Sequence, residues 1–548
     1  MTQNISEAQR AEKQKRDQKL VHSTLMLMIL FGIAKAISLV QTVIIAQFFG
    51  LDSQWDAYVA ANGIPELIVI LISGGALGHA FIPVFSSYLA RDEKVDGYRL
   101  ASHVVNTVFT VALIISVIVF IITPWLVRNW IAPGFVENPE TLQQTINMMR
   151  LLLVGTVIFA ISGIFSSILH SHNHFLLPAV APIMYDLGIL FGVVFLLEPF
   201  GIYGVAIGTV MGAAAHLLIQ VPGLIRNGAR WFPELGLTDP TLWRVIRLML
   251  PRVMGLFVFQ FNFLVMRNIA SRFGEGGISA LDWGWRLMQI PQTLIGTAMG
   301  IVIFPTLAAL SELQDLDGKR NAMSGALKFI MVASIPSAIG LILVGEPLLS
   351  LLERGAFDAN ATSLVYSTLS AFTIGLIVHS MLEVIARSFY ADQDTLTPLW
   401  AALGGAGINL VLSLSLSGVL ASENPPISNV MWLAFANSMG VSFEVGVLVI
   451  LLRKRWQGIN ENSVVITTVK TLIASLIMGV GVLAVDQIFA MLGLQERLVY
   501  TIMQLTLQVG VGGVIFFAAT WLMGMQEVKD IVAILLRQQA PPQPALET

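Results

Sequence analysis

The 548-residue chain contains no cysteine, which removes disulfides, thiolate metal sites and thiol nucleophiles together. Charge is the second scarcity. Asp, Glu, Lys and Arg make up 12% of the residues, against about 25% in soluble proteins, too few to clothe several water-exposed domains. A net charge of −3 and a pI near 6.3 leave no global field for a polyanion, and no basic segment is interleaved with aromatics, so a nucleic-acid partner is excluded. P-loop, H-E-x-x-H and G-x-S-x-G motifs are all missing from the sequence. Hydrolysis and ATP coupling therefore have no visible machinery, and the expectation is a non-enzyme with no catalytic residue, cofactor or resident metal.

What the chain has is apolar length. Hydrophobic residues reach 55% and the mean hydropathy is +0.77. Apolar runs of about 20 residues or more, the length that crosses a bilayer, fall at 22–49, 56–89, 100–127, 141–170, 176–197, 200–225, 248–271, 278–311, 329–349, 360–386, 396–417, 429–452, 464–488 and 498–523. The fold class expected is an all-α polytopic membrane protein with about fourteen spans. Several runs exceed the bilayer thickness, so tilt, projection into water or bends at Pro65 and Pro291 are expected.

Basic residues set the orientation. They crowd the polar start (Arg10, Lys13, Lys15, Arg16, Lys19) and recur in alternate gaps, as Arg91, Lys94 and Arg99, then Arg226, Arg230, Arg244 and Arg247, then Lys319, Arg320 and Lys328. Arg387, the run Arg453, Lys454 and Arg455, and the tail residues Lys529 and Arg537 continue the series, whereas the opposite gaps hold only Arg128, Arg272, Arg354 and Arg497. Both termini are thus expected in the cytoplasm, with residues 1–20 a basic tail, the first span an uncleaved signal-anchor, and 525–548 an amphipathic then disordered tail.

An internal duplication is visible by eye. Ile45-Ala46-Gln47-Phe48-Phe49-Gly50 returns as Ile269-Ala270-Ser271-Arg272-Phe273-Gly274, and Asp56 precedes Pro65 by the nine residues that separate Asp282 from Pro291. Six spans lie between the copies, so the orientation is preserved. Two lobes follow, 21–230 and 238–455, with 464–523 outside the repeat. Transporters built from such parallel repeats hold substrate between lobes and rock one against the other.

Ionisable residues inside spans cost about 2.5–3.5 kcal/mol on insertion scales and usually face a cavity or a partner. Lys35 and Arg286 are the leading candidates, on the first and eighth spans; Asp56 and Asp282 open the second and eighth. Arg252, Arg267, Glu66, Asp186, Glu383 and Glu444 complete the set. A basic cavity suits phosphate or diphosphate, bound by Arg through a planar fork and by Lys as a point charge. Glu66, Asp186 and Glu444 are open to either cation coordination or proton relay. For each residue a structural ion pair or a snorkelling chain end is the bland alternative. His170, His172 and His174 form an H-x-H-x-H run at a span end, read as a solvated loop rather than a metal site. Gly204, Gly208 and Gly212 form a close-packing stripe.

The residues Phe49-Gly50, Asp56-Ala57-Tyr58, Ile64-Pro65, Gly75-Ala76-Leu77 and Ala80-Phe81-Ile82-Pro83 resemble the opening signature of the MurJ/MviN lipid II flippases, in the multidrug/oligosaccharidyl-lipid/polysaccharide exporter superfamily. Phe175 to Pro182, Trp285-Arg286-Leu287-Met288-Gln289-Ile290-Pro291, Arg387 to Ala391 and Asp394 to Pro398 resemble further family segments. The resemblance implies two lobes around a cationic cavity, spans 13 and 14 as a groove for a polyprenyl tail, and a cargo of undecaprenyl-diphosphate-linked peptidoglycan precursor. Arg286 falls on an essential family arginine, Lys35 on an arginine of the first span and Asp56 on the family aspartate of the second. Two family arginines are replaced, by Gln41 and Val69, with Arg252 or Arg267 as candidate compensators. Membrane lipids and cell-wall synthesis proteins are the other partners implied, and the bacterial cytoplasmic membrane the location. The alternatives are a cation-coupled exporter of the same superfamily and a non-transporting pseudo-flippase scaffold.

Overall fold

A computed structural model of the chain describes residues 32–72, 75–172, 174–422, 425–492 and 498–528. The basic start, Arg497 and the tail from 529 lie outside the described residues. Every regular element among the described residues is helical. Thirteen helices are long and apolar enough to cross a membrane, and fourteen when a pair bent by 42° counts as one span, which agrees with the fourteen apolar runs. The protein is a multi-pass membrane protein.

The helices gather into two compact units, one of Ser53–Leu264 with the described part of the first helix, the other from Val265 onward with Gly50–Asp52. The first unit holds α1 (Gly32–Phe49), α2 (Ser53–Ile72), α3 (Gly75–Ala90), α4 (Lys94–Leu126), α5 (Pro139–Ser171), α6 (Leu176–Phe191), the short α7 (Leu197–Phe200), α8 (Tyr203–Leu218), α9 (Val221–Arg226) and most of α10 (Pro240–Ala270). The run expected as one span at 56–89 is described as α2 and α3, on either side of positions 73–74, which lie outside the described residues. Phe81, Phe85, Leu100, Ile164 and Leu169 form the buried seam where α3, α4 and α5 meet.

Where α6 meets α8 the chain packs backbone on backbone. A Cβ added to Gly208 would lie 2.6 Å from the Gly188 carbonyl oxygen and the same distance from Gly192 Cα. The stripe read from the sequence is therefore a helix contact. In lipid, where tails are as apolar as side chains, such close approach is a principal source of helix association.

The second unit holds the end of α10, then α11 (Gly277–Gln292), α12 (Ala298–Glu312), α13 (Leu316–Ser350), α14 (Ala359–Ile374), α15 (Leu376–Ala391), α16 (Leu396–Leu416), α17 (Val430–Trp456), α18 (Glu461–Met491) and α19 (Leu498–Leu522). Pro291 does not break its helix: α11 runs into a π-helical turn, Thr293–Thr297, and continues as α12. Gly375 separates the bent pair α14 and α15. The helices outside the repeat, α18 and α19, pack on each other and on α13, burying Val332, Ala474, Met478, Val482 and Phe516. Glu527 secures them, 3.6 Å from Lys328 Nζ and accepting from the Thr467 hydroxyl at 3.1 Å.

One end of this unit is tied by a buried ion cluster. Asp392, just past α15, accepts from Lys319 Nζ of α13 at 2.6 Å, from the Ser311 hydroxyl of α12 at 2.6 Å and from the Trp456 indole of α17 at 3.2 Å. Lys319 is 6% exposed. Burial alone would raise the Asp392 carboxyl, but these hydrogen bonds and the Lys319 charge outweigh it and hold the group below its ordinary value. Asp394 behaves alike: burial raises it, while bonds from Thr397 and Arg455 lower it further.

Gly208→Leu is expected to cost about 1–3 kcal/mol or more, since backbone atoms cannot move aside as a side chain can; a markedly lower melting temperature of the purified protein checks it, against an unchanged one for Gly407→Leu, where a Cβ meets nothing within 4 Å. The depressed carboxylates contribute stability that is complete above about pH 4 and lost as pH falls through their lowered values. The contribution of these two carboxylates to the melting temperature should therefore be level from pH 8 to 5 and fall below about pH 4. The double variant Lys319→Met/Asp392→Leu should show a shallower acid fall in the same scan.

Candidate functional site

The duplicated segment builds the same corner twice. In the first copy α1 ends at Phe49 and the chain turns through Gly50 at φ +52° into α2. In the second, α10 tightens into a 3-10 turn, Ser271–Phe273, and turns through Gly274 at φ +83° ahead of α11. Both glycines occupy the left-handed region that side-chain-bearing residues avoid. Each corner then delivers a buried acid beside a buried indole: Asp56 at 0% and Trp55 at 2% exposure, Asp282 at 8% and Trp283 at 2%. Trp55 stacks between Phe49 and Tyr58, with ring centroids 5.6 and 4.8 Å away, and the Tyr58 hydroxyl shares a 2.8 Å hydrogen bond with Thr209 of α8.

The second corner gathers the charges. Asp282 and Arg286 stand four residues apart on α11, so their side chains share one helix face. Arg286 Nε donates to Asp282 Oδ2 at 2.6 Å, while Arg267, in the last turn of α10, places Nη2 3.7 Å from the other carboxylate oxygen, Oδ1. The Asp282 side chain is 6% exposed, Arg267 15% and Arg286 49%. One carboxylate thus meets two guanidinium groups, and the more exposed of the two is anchored by Nε.

Neighbouring rings hold α11 in place. Trp285 meets Phe372 and His379 edge-on, each at 5.3 Å, and His379 is itself hydrogen-bonded to Asn437 at 3.1 Å. Glu383 pairs with Arg387 four residues on, at 3.1 Å, at the end of α15.

The other candidates are dispersed. Lys35 is exposed on α1, Asp56 is buried in the first turn of α2, Glu66 is half-buried on the same helix, and Asp186 is half-buried on α6, all in the first unit. Arg252 lies on α10, its side chain outside the described residues. Glu444 is half-buried on α17 of the second unit. Of the two positions where arginines are replaced, Gln41 is buried and Val69 half-buried. The histidine run is not a plain solvated loop: His172 Nε2 lies 2.9 Å from the Tyr98 hydroxyl and its ring packs beside Phe85. No group of three metal-binding side chains converges among the described residues.

Up to fourteen spans, a glycine-and-acid corner made twice and two arginines gathered on one acid define a polytopic membrane protein of the transporter class. The family model described as "Lipid II flippase MurJ" matches residues 45–503. The chain belongs to that family. A probable lipid II flippase MurJ of Rhizobium tropici is 27% identical over 91% of this chain and 93% of its own length. Among solved structures, a lipid II flippase MurJ in an inward closed conformation matches 93% of this chain and 100% of its own at a TM-score of 0.75 and 22% identity. An inward-facing multidrug resistance MATE family transporter of the MOP superfamily covers 78% of this chain and 96% of its own at a TM-score of 0.63 and 15% identity. The last two show the fold.

Asp282→Asn keeps the volume and removes the charge between two guanidiniums, so it should lower stability by about 1–3 kcal/mol. A double-mutant cycle with Arg267→Met, read by thermal unfolding, should give a coupling of about 0.5 kcal/mol or more. A coupling indistinguishable from zero would deny the Arg267 contact.

Proposed function

We propose that this protein flips a polyprenyl-diphosphate-linked cell-wall precursor, lipid II before others, from the inner to the outer leaflet of the bacterial cytoplasmic membrane. It works by alternating access and without catalysis, with both termini in the cytoplasm. The observation that carries the proposal is the Arg286–Asp282–Arg267 group, set on the repeated corner of a chain that belongs to the MurJ family.

The chemistry follows from the geometry. A guanidinium anchored by Nε keeps its Nη edge in a defined plane, which suits the oxygens of a diphosphate. Arg267 lies 3.7 Å from the Asp282 carboxylate and is proposed to turn toward a phosphate oxygen when cargo is bound. It thereby supplies a second guanidinium where Gln41 and Val69 have none. Lys35 and Asp56 on the first unit, and Arg252 on α10, are proposed to contact the cargo as well. Glu66, Asp186 and Glu444 are proposed for cation or proton coupling.

The α18 and α19 pair is proposed to hold the polyprenyl tail. Leu472, Ile473, Leu476, Ile477 and Val480 line one helix with exposed apolar surface, and the pair is docked on α13 by the Lys328–Glu527 contact.

Arg286→Ala should reduce lipid II flipping in proteoliposomes at least tenfold and abolish complementation of a flippase-depleted strain, while Arg286→Lys, which keeps the charge and loses the fork, should retain an intermediate rate. Wild-type complementation by correctly inserted Arg286→Ala would remove this role, and drug export surviving without lipid II flipping would favour a multidrug exporter.

A further inference from the structure

The first unit contains a cavity of about 400 Å³ between α4, α5 and the segment that joins α9 to α10. Its walls are apolar, formed by Val105 and Phe109 of α4 with Ile161 and Phe165 of α5, and its polar end is formed by Arg230 and Trp231 of the joining segment. The volume lies in the range of small-ligand sites.

The joining segment is bonded along α4. Asn106 Nδ2 donates to the Phe232 and Glu234 carbonyls at 2.8 and 2.7 Å, and Asn106 Oδ1 accepts from the Trp231 indole at 2.9 Å. Thr107 donates to the Leu235 carbonyl at 2.9 Å, and the Ser102 hydroxyl accepts from the Phe232 amide at 3.1 Å. His103, 7% exposed, stands between Asp239 and Glu234 at 3.0 and 3.3 Å. The Trp231 indole and the backbone groups of Phe232, Glu234 and Leu235 are therefore committed to α4, which shapes the cavity without a ligand.

Three observations say what enters it. The lipid-facing residues of α4, Val111, Ile114, Val117, Ile118 and Ile121, are exposed directly beyond Phe109, while Lys94 and Arg99 precede the cavity on the same helix. The cavity thus sits where α4 passes from charged to lipid-facing. Trp231 is 68% exposed, as suits an indole at a membrane–water boundary. Arg230 is exposed and makes no ion pair among the described residues, and Arg226 shares both properties at the start of the segment. Apolar walls leading to an unneutralised guanidinium fit a molecule with a hydrocarbon chain and an anionic head.

We propose that this cavity binds an anionic glycerophospholipid of the cytoplasmic leaflet, with an acyl chain against Phe109 and Phe165 and its phosphate at Arg230. The site is separate from the Arg286 group and rests on the orientation read from the basic residues, not on the cargo. A lipid seated there would tie the joining segment to the membrane.

The test is native mass spectrometry of the full-length protein in detergent with equal concentrations of phosphatidylglycerol and phosphatidylcholine. Phosphatidylglycerol adducts should dominate. Arg230→Gln should weaken them about fivefold and leave phosphatidylcholine unaffected, while Ile161→Trp, which fills the cavity, should reduce both, with melting temperatures confirming that each variant is folded. Equal binding of the two lipids, or phosphatidylglycerol binding indifferent to both variants, would overturn the proposal. Displacement by an equal concentration of undecaprenyl phosphate would assign the cavity to a polyprenyl chain, and displacement by millimolar inorganic phosphate would reduce it to a bare anion site; each also overturns it. Lipid II flipping, measured separately on Arg286→Ala, distinguishes failure of this site from failure of the transport reading.

Discussion

Charge buried away from water must be answered by a neighbouring charge or by hydrogen bonds, and that constraint shapes two clusters of the second unit. Asp282 is nearly sealed from solvent, and two guanidiniums meet its two oxygens. Lys319 is equally sealed, and Asp392 meets it together with a hydroxyl and an indole. The two clusters differ in what they leave over. At Asp392 the charges are matched, Lys319 and Arg455 against Asp392 and Asp394, and the Ser311 hydroxyl and Trp456 indole fill further acceptor sites, so the cluster is a fastening. At Asp282 two guanidiniums meet one carboxylate, and the Arg286 side chain is left half-exposed.

Apolar burial cannot discriminate one helix pairing from another in lipid as it does in water, so contact geometry does that work. The backbone contact of Gly188 and Gly192 with Gly208 in the first unit has a counterpart in the second, where Gly405 of α16 and Gly440 of α17 would each direct a Cβ at the other's carbonyl oxygen, at 2.7 and 2.5 Å. Rigid glycine seams fix helix pairs within each unit, against which the charged corners keep their positions.

The spans, their number and the repeat were legible because hydropathy and the Gly50 and Gly274 corners are local patterns. The pairing of Asp282 with Arg286 could be read from their four-residue spacing alone. Helix ends were less legible. Hydropathy finds only the apolar part of a helix, whereas α4, α10 and α13 begin earlier, at Lys94, Pro240 and Leu316, the last capped by the Asp315 side chain accepting from the Gly318 amide at 2.8 Å. Illegible altogether were contacts between residues distant in the chain: Arg267 with Asp282 across the corner, Lys319 with Asp392, His172 with Tyr98, and the joining segment with α4. Nothing near any one of these residues specifies its partner.

Two π-helical turns, Gly192–Leu196 and Thr293–Thr297, lie between helical segments, and a third, Val127–Ile131, ends α4. Such a turn carries one residue more than the α-helical turn it replaces. Within Thr293–Thr297, shortening the chain by a single residue would convert the wide turn to an ordinary one and leave Ala298–Glu312 facing the same neighbours, whereas the same deletion in Gly277–Gln292 would swing every later side chain by about 100° around the axis. Sequence length and helix facing are thus uncoupled at these points, which makes them the places where related chains can differ in length without reorienting the surfaces that follow.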